Sequence, residues 1–151
     1  MKPLLLAPLA INHPPIAHAI KAAHLLDKGE IDNKSMDISF WDPAPFFKAL
    51  QDRNYRKREC RKYAPLTLTY IDGSARWHTD PGFGLVACWL VYSENYPGFD
   101  AQLITTRKPL DLRENDLCIF DSDQGHAWIS NGVCVMVMAT VAPIKKKRAR
   151  V

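Results

Sequence analysis

Two side chains that commonly bind metals, His78 and Asp80, are separated by one position in the segment Arg76–Asp80. Residues two apart on a β-strand point to the same face, so an imidazole nitrogen and a carboxylate oxygen could converge on one point. A third ligand can come from a distant strand that the fold brings close. His126 is the only histidine after His78, and it opens a strand-like segment that follows Gly125. The pattern predicts a three-ligand site formed by His78, Asp80 and His126.

Two histidines and one carboxylate on one face of a metal ion leave positions open for further ligands. This facial triad is typical of non-haem iron(II) oxygenases, where a bidentate co-substrate and dioxygen bind side by side. His-x-Asp alone is weak evidence, because it also occurs by chance at polar strand ends. The β-rich setting, the preceding turn Tyr70–Gly73 and the late histidine make the combination more specific. We therefore expect iron(II) bound by these three residues, which would form the catalytic centre.

The elements that must position these residues are β-strands, because the pattern from residue 66 onward is strand-like. Leu66–Ile71 is rich in β-branched residues and stops at the turn pair Asp72-Gly73. Leu85–Tyr92 is a long apolar run, and Val133–Val141 is another. Seven or eight short strands with frequent turns indicate a sandwich or barrel-like β fold.

The first third of the chain predicts helices instead. Pro14-Pro15 suits the start of a helix, and Gly29 is a natural stop after apolar residues at helical spacing. Met36–Trp41 alternates and could be a strand. A second helix is expected to begin at Phe46 and to run through a basic cluster toward Arg61.

Residues 66–141 resemble the core of the iron(II)- and 2-oxoglutarate-dependent dioxygenases, most closely the prolyl-hydroxylase-like and nucleic-acid-demethylase-like branches. A tyrosine, a turn glycine and a His-x-Asp occur in the family's order at Tyr70, Gly73, His78 and Asp80. The apolar strands, acidic turn, short phenylalanine-containing strand and distal histidine are matched by Trp89, Leu90, Asp116, Phe120 and His126. The resemblance implies a mainly β fold with N-terminal helices, a double-stranded β-helix that is also called a jelly-roll or cupin-like fold. The first 65 residues match no motif of the family.

The resemblance also implies 2-oxoglutarate as co-substrate, and here the sequence departs from the family. The family usually places an arginine or lysine on the last strand, where it pairs with the far carboxylate. Val133–Thr140 contains no basic residue, and a buried carboxylate without a cation is unfavourable. Some relatives place the cation on a middle strand, so Arg107, Lys108 or Arg76 could replace it, and Tyr70 could hydrogen-bond the same carboxylate. Each of these could equally be a surface charge or a core tyrosine.

With the cation present, the resemblance implies an oxygenase that uses dioxygen, converts 2-oxoglutarate to succinate and hydroxylates a substrate. Two alternatives stay open: a binding module without catalysis, and a cupin-type metalloprotein without an oxoacid co-substrate. Asp121 and Asp123 could orient the metal ligands, or they could form a plain acidic turn. Fold alone does not choose among these functions.

The formal charge of +4 is unevenly distributed along the chain. Five basic residues lie in 145–151, and without them 15 basic side chains face 16 acidic ones. We expect one domain in residues 1–144, followed by this basic tail. A second basic run spans Arg53–Lys62, and such runs can follow a phosphate backbone. Nucleic acid, or a protein that binds it, is therefore a candidate partner or substrate, although both runs could simply be solvated surface.

The cysteines and the N-terminus bear on the location of the protein. No CxxC zinc pattern occurs, and Cys88, Cys118 and Cys134 lie in apolar runs typical of buried thiols. Reduced cysteines favour a cytoplasmic protein. Pro3 and Pro8 break the short N-terminal apolar stretch, which argues against a signal peptide. No apolar run approaches the ~18 residues that cross a bilayer, so we expect no membrane partner.

Overall fold

The computed structural model describes residues 2–15, 33–36, 41–60, 66–94, 99–105, 109–130 and 132–145. These residues form strands and one helix. In chain order the elements are β1 (Leu4–Leu6), β2 (Asn33–Met36), α1 (Ala44–Asp52), β3 (Tyr55–Lys57), β4 (Leu66–Asp72), β5 (Ala75–His78), β6 (Leu85–Ser93), β7 (Ala101–Ile104), β8 (Pro109–Leu112), β9 (Leu117–Asp121), β10 (His126–Ile129) and β11 (Val133–Pro143).

The strands form two antiparallel sheets. The larger has the order β1-β9-β6-β11-β4-β2, with β3 added beside β11, and the smaller has the order β5-β10-β7-β8. The chain from β4 to β11 passes repeatedly between the sheets, so that β9-β6-β11-β4 is matched by β8-β7-β10-β5. This winding is the double-stranded β-helix, or jelly-roll, which confirms the predicted fold class.

The large sheet is covered by apolar residues on both of its faces. Leu68 and Tyr70 of β4 belong to one core cluster, which includes α1 and the segment before β2. Ile71 belongs to a second cluster, which joins the large sheet to the small one. Because neighbouring residues of a strand point to opposite faces, β4 contributes to both cores. The functional site lies on the side of the second cluster.

Helix α1 covers the outer face of the large sheet and is shorter than the sequence pattern predicts. Its first turn is held by the Asp42 carboxylate, which accepts a hydrogen bond from the Ala44 N–H at 3.0 Å. The prediction that the helix continues toward Arg61 was wrong: the helix ends at Asp52, and Asn54 adopts a φ of 67°. The chain then turns into β3, since pairing with the end of β11 offers backbone hydrogen bonds that the helix could not make there.

Other predictions for the first third of the chain fall partly beyond the structure. The helix expected from Pro14-Pro15 to Gly29 lies mostly outside the described residues, as do residues 37–40 of the strand expected at Met36–Trp41. Met36 itself ends β2. Within the described part of the chain, no helix is long and apolar enough to span a membrane.

Candidate metal centre

Two neighbouring strands of the small sheet carry the predicted histidines. His78 is the last residue of β5 and His126 is the first residue of β10, and the two are direct partners in the antiparallel pairing. Their ring centroids are 4.3 Å apart. Asp80 follows two residues after His78, in the loop that leads to β6. The structure thus brings together the three residues that the sequence pattern singled out, although 46 positions separate Asp80 from His126.

Hydrogen bonds between two loops hold Asp80 in place. The Asp80 N–H donates to the Ser122 carbonyl at 2.8 Å, and the Ser122 N–H donates to the Gly84 carbonyl at 2.9 Å. One carboxylate oxygen of Asp123 accepts from the N–H groups of Gly82 at 2.9 Å and Gly84 at 3.3 Å. The loop after Asp80 is therefore fastened to the loop before His126. Asp123 positions the site through the backbone and is not one of the three grouped ligands.

The donor atoms of the three residues point at one another. The Nε2 atom of His126 lies 3.1 Å from the Asp80 Oδ2 atom, and the Nε2 atom of His78 lies 3.5 Å from the same oxygen. Each ring is oriented by its other nitrogen: His126 Nδ1 contacts the Gln124 carbonyl at 2.8 Å, and His78 Nδ1 contacts the Arg76 carbonyl. A carbonyl only accepts, so each Nδ1 carries the proton.

This tautomer makes the site suited to a metal ion. In a neutral imidazole with a protonated Nδ1, the Nε2 atom carries a lone pair, so two nitrogen lone pairs and a carboxylate oxygen converge. Such a group of acceptors is stabilised by a cation between them, and metal-bound histidines commonly donate their other N–H to a carbonyl. Two ligands about 2.1 Å from one ion and at right angles are about 3.0 Å apart, close to the two nitrogen–oxygen separations of 3.1 and 3.5 Å. The donor set therefore fits a divalent ion such as iron(II).

The three residues stand at one end of a cavity between the two sheets. The cavity has a volume of about 280 Å³ and is lined mainly by apolar and aromatic side chains, among them Ile71, Phe83, Leu103, Trp128 and Met136. His126 is buried, whereas the side chains of His78 and Asp80 are 36% and 42% exposed. One side of the candidate metal centre thus faces solvent while the other faces a largely apolar interior.

A cavity thiol stands apart from the three candidate ligands. Cys88 lies on the wall opposite the small sheet. A hydrogen bond with the Cys118 thiol, together with burial, raises the pKa of Cys88 well above its usual value. This direction favours the neutral thiol in the metal-free protein, and the Cys88 sulfur is not among the ligand atoms that converge on one another.

The structure does not place Tyr70 or Arg76 in the cavity. Tyr70 is fully buried in the outer core cluster, on the opposite face of β4 from the cavity residues Thr69 and Ile71. Burial and the nearby carboxylates of Asp72 and Glu94 raise its pKa, which suits a protonated core tyrosine. The expectation that Tyr70 hydrogen-bonds a co-substrate in this cavity is therefore corrected by its position.

Of the three candidate cations for the co-substrate, only Arg76 lies in the described part of the chain. Arg76 has an exposed side chain that does not line the cavity, and it contributes only its carbonyl, to His78. Arg107 and Lys108 lie outside the described residues. Among the described residues that line the cavity there is no lysine or arginine.

Sequence reasoning missed the contact between Trp77 and Gly125. Each residue immediately precedes a histidine of the site, and the Trp77 indole lies directly on the Gly125 backbone. A Cβ atom at position 125 would come within 2.6 Å of the indole Nε1 atom, closer than atoms can approach. Trp77 is nevertheless 57% exposed, so its ring forms part of the surface beside the metal centre. The sequence did offer one signal of this contact, namely a glycine directly before the predicted ligand His126.

Comparisons with known proteins reach only distant similarity. No protein-family model matches the sequence, and no protein of curated function matches it. A cupin superfamily protein from Desulfitobacterium hafniense DCB-2 is similar in structure, with 15% identity, a TM-score of 0.45 and coverage of 92% of this chain and 95% of the other. A cupin-2 domain containing protein from Shewanella frigidimarina NCIMB 400 has 10% identity and a TM-score of 0.44, with 89% and 94% coverage.

Proposed function

We propose that this protein is an iron(II)-dependent oxygenase that acts on an uncharged substrate in the cavity between its sheets, with 2-oxoglutarate as co-substrate. One observation supports the proposal above others: the ring nitrogens of His78 and His126 and a carboxylate oxygen of Asp80 lie within 4.8 Å of one another, in the lining of a largely apolar cavity. Iron(II) held there would supply open positions for dioxygen and for a bidentate co-substrate.

The residues around the centre orient the ligands and exclude water. The carbonyls of Arg76 and Gln124 fix the tautomer of each histidine, and the Phe120 ring packs edge-on against His126 with centroids 5.1 Å apart. Apolar walls would bind the substrate through burial of its surface, and they would keep bulk water from the reacting group. Apart from the three candidate ligands, no acidic residue, lysine, arginine or histidine lines the described part of the cavity, which favours a neutral substrate.

The co-substrate part of the proposal depends on Arg107 or Lys108. A carboxylate of 2-oxoglutarate needs a cation or several hydrogen bonds when it is buried. Since Arg76 does not line the cavity, the pair after β7 is left as the expected source of that cation. In the sequence both residues come a few positions after β7, whose residue Leu103 lines the cavity.

The second candidate is a cupin-type metalloprotein without an oxoacid co-substrate. The observation in its favour is that the described cavity lining offers no lysine or arginine. In that case the three ligands would still bind a metal ion, and any reaction would involve the substrate and the metal alone. A binding module without a metal differs from both in taking up no iron.

One anaerobic titration distinguishes these functions. The full-length protein is loaded with iron(II), 2-oxoglutarate is added, and the weak visible metal-to-ligand charge-transfer band is recorded. We expect the band in the native protein and in His13→Ala, a matched control outside the cavity, but not in His78→Ala. We also expect the 2-oxoglutarate concentration at half-saturation to rise about tenfold or more in Arg107→Ala or Lys108→Ala, because one partner of a charge-assisted pair is removed.

The outcomes against the proposal are specific. Iron uptake without a band in the native protein would replace it by the cupin-type alternative. Absence of iron uptake would replace it by the binding module. A band that persists in His78→Ala would show that the iron is held elsewhere.

A further inference from the structure

The basic residues of this protein are concentrated in two short stretches that are far apart in sequence. Residues 48–62 and 145–151 hold 12 of the 20 basic side chains but only 2 of the 16 acidic ones, a net charge of +10. The remaining residues hold 8 basic and 14 acidic side chains, a net charge of −6. The small overall charge of the chain therefore hides a strong separation of charge.

The fold brings the start of the second stretch next to the first. Strand β3 pairs with the end of β11, so that Arg56 lies opposite Ala142 and Lys57 lies opposite Val141. Beyond the strands, the Ile144 N–H donates to the Asn54 carbonyl at 2.8 Å. Lys145, the first residue of the second basic stretch, is consequently next to the first stretch. We call the exposed cations Arg56, Lys57 and Lys145 the basic edge.

The basic edge continues toward the candidate metal centre. Directly after β3, the Arg58 guanidinium donates to the carbonyls of Val141 at 3.1 Å and Leu85 at 3.4 Å, and it lies against Gly84. Two residues later, the Cys60 thiol contacts the Gly82 carbonyl at 3.8 Å. Gly82 and Gly84 belong to the loop after Asp80, so the backbone from β3 leads along one surface to the loop that carries a metal ligand.

The charges of this surface are available to a partner. Arg58 bonds to neutral carbonyls and keeps its full charge, and the only contact of the Arg56 guanidinium in the described structure is with the adjacent Lys57 carbonyl at 3.4 Å. Lys57 pairs with Glu59 at 3.6 Å, but the Glu59 side chain is 81% exposed. An exposed ion pair of this kind contributes little to stability, so Lys57 can readily exchange Glu59 for another anion.

We propose that the basic edge binds the phosphate backbone of single-stranded nucleic acid and lays the strand along the surface that leads to the metal centre. Arg56 and Lys57 lie on an exposed strand with Lys145 nearby, and none of the three lines the cavity, an arrangement that suits an extended polyanion better than a single small anion. Release of counterions from the phosphates would supply the binding free energy. This inference does not depend on the oxygenase proposal, since it needs neither metal nor catalysis.

The test is the binding of a fluorescently labelled oligothymidylate to the full-length protein, followed by anisotropy at several salt concentrations. We expect the affinity to fall about tenfold or more in the double variant Arg56→Ala, Lys57→Ala and in a chain that ends at Ile144. The slope of log affinity against log salt should decrease by about 0.7 for each phosphate contact that is removed. Arg113→Ala removes an exposed arginine from the turn between β8 and β9, and it should leave both quantities unchanged.

Three results would overturn the inference. The first is native affinity and slope in the double variant, which would assign all binding to the C-terminal residues. The second is binding to phosphatidylserine vesicles without binding to the oligonucleotide, and the third is an equal loss in Arg113→Ala. Arg56→Gln repeats the test with the smallest risk to folding. His78→Ala should bind the oligonucleotide normally even if it no longer binds iron, which separates this inference from the proposed function.

Discussion

At the scale of single residues, the metal centre depends on how each ring nitrogen is used. The Nδ1 atoms of His78 and His126 donate to backbone carbonyls, which fixes the proton on Nδ1. The same contacts orient each ring so that its Nε2 atom faces the Asp80 carboxylate. This arrangement prepares three ligand atoms before any metal binds. Changes that rotate either ring should therefore affect metal affinity more than they affect folding.

Gly125→Ala tests this dependence, because the new methyl group would overlap the Trp77 indole. The overlap must push the indole or the start of β10 aside, and His126 is the next residue. We expect iron(II) affinity to fall about tenfold, together with a loss of about 1–3 kcal/mol in the free energy of unfolding. Anaerobic iron titration and urea denaturation measure the two effects.

The control is the same change in a Trp77→Ala background. With the indole removed, Gly125→Ala should lower iron affinity only slightly relative to Trp77→Ala alone. A large loss in both backgrounds would show that the cost comes from the backbone of residue 125 and not from the tryptophan.

At the scale of elements, the site is formed by two loops that are tied to each other. Strands β5 and β10 bring two ligands side by side, but Asp80 lies beyond the end of β5 and needs its own support. The Asp123 carboxylate supplies that support by accepting two backbone hydrogen bonds from the loop after Asp80. The element that holds the third ligand is thus a turn and not a strand.

Asp123→Ala should raise the iron(II) dissociation constant by about 10- to 100-fold, the usual effect of removing a group that orients a ligand. The protein should stay folded, because the apolar cores are untouched. Asp111→Ala is a matched control: its carboxylate accepts a hydrogen bond from Gln102 on the surface, away from the cavity. Equal iron affinities in the two variants would contradict the role assigned to Asp123.

Local patterns predicted the strands well but did not show which face of a strand is turned to the cavity. The run at Leu66–Ile71 was correctly read as a strand, yet both faces of β4 are buried, so the sequence did not show which face looks into the cavity. Tyr70 was assigned to the site and its neighbours Thr69 and Ile71 were not, which is an error of one position in a two-residue repeat.

The helix that was expected to reach Arg61 shows a second limit of prediction from local sequence. Nothing in the composition of residues 53–62 opposes a helix strongly, and the helix stops because β3 pairs with a strand more than 80 positions later. Pairing over such a distance leaves no local signal. The three candidate ligands could be grouped from the sequence because their chemistry is distinctive, although Asp80 and His126 are 46 positions apart.

At the scale of the whole molecule, the jelly-roll has three distinct surfaces, whose residues are mixed along the sequence. The outer face of the large sheet is closed by α1, the inner face bounds the cavity, and one edge of the sheet collects the basic residues around β3 and the end of β11. The loop from Asp80 to Gly84 carries one candidate metal ligand and contacts Arg58 and Cys60, which follow β3. This placement explains how one small fold could join metal chemistry to the binding of a polyanion.

The central claim is that His78, Asp80 and His126 bind one iron(II) ion together. The most direct measurement is anaerobic iron(II) titration of the native protein, of alanine variants at each of the three positions, and of His13→Ala. The account predicts one iron per chain in the native protein and in His13→Ala, and a loss of more than about tenfold in affinity in each of the other three variants. Native affinity in any of those three variants, or no iron uptake by the native protein, would contradict it.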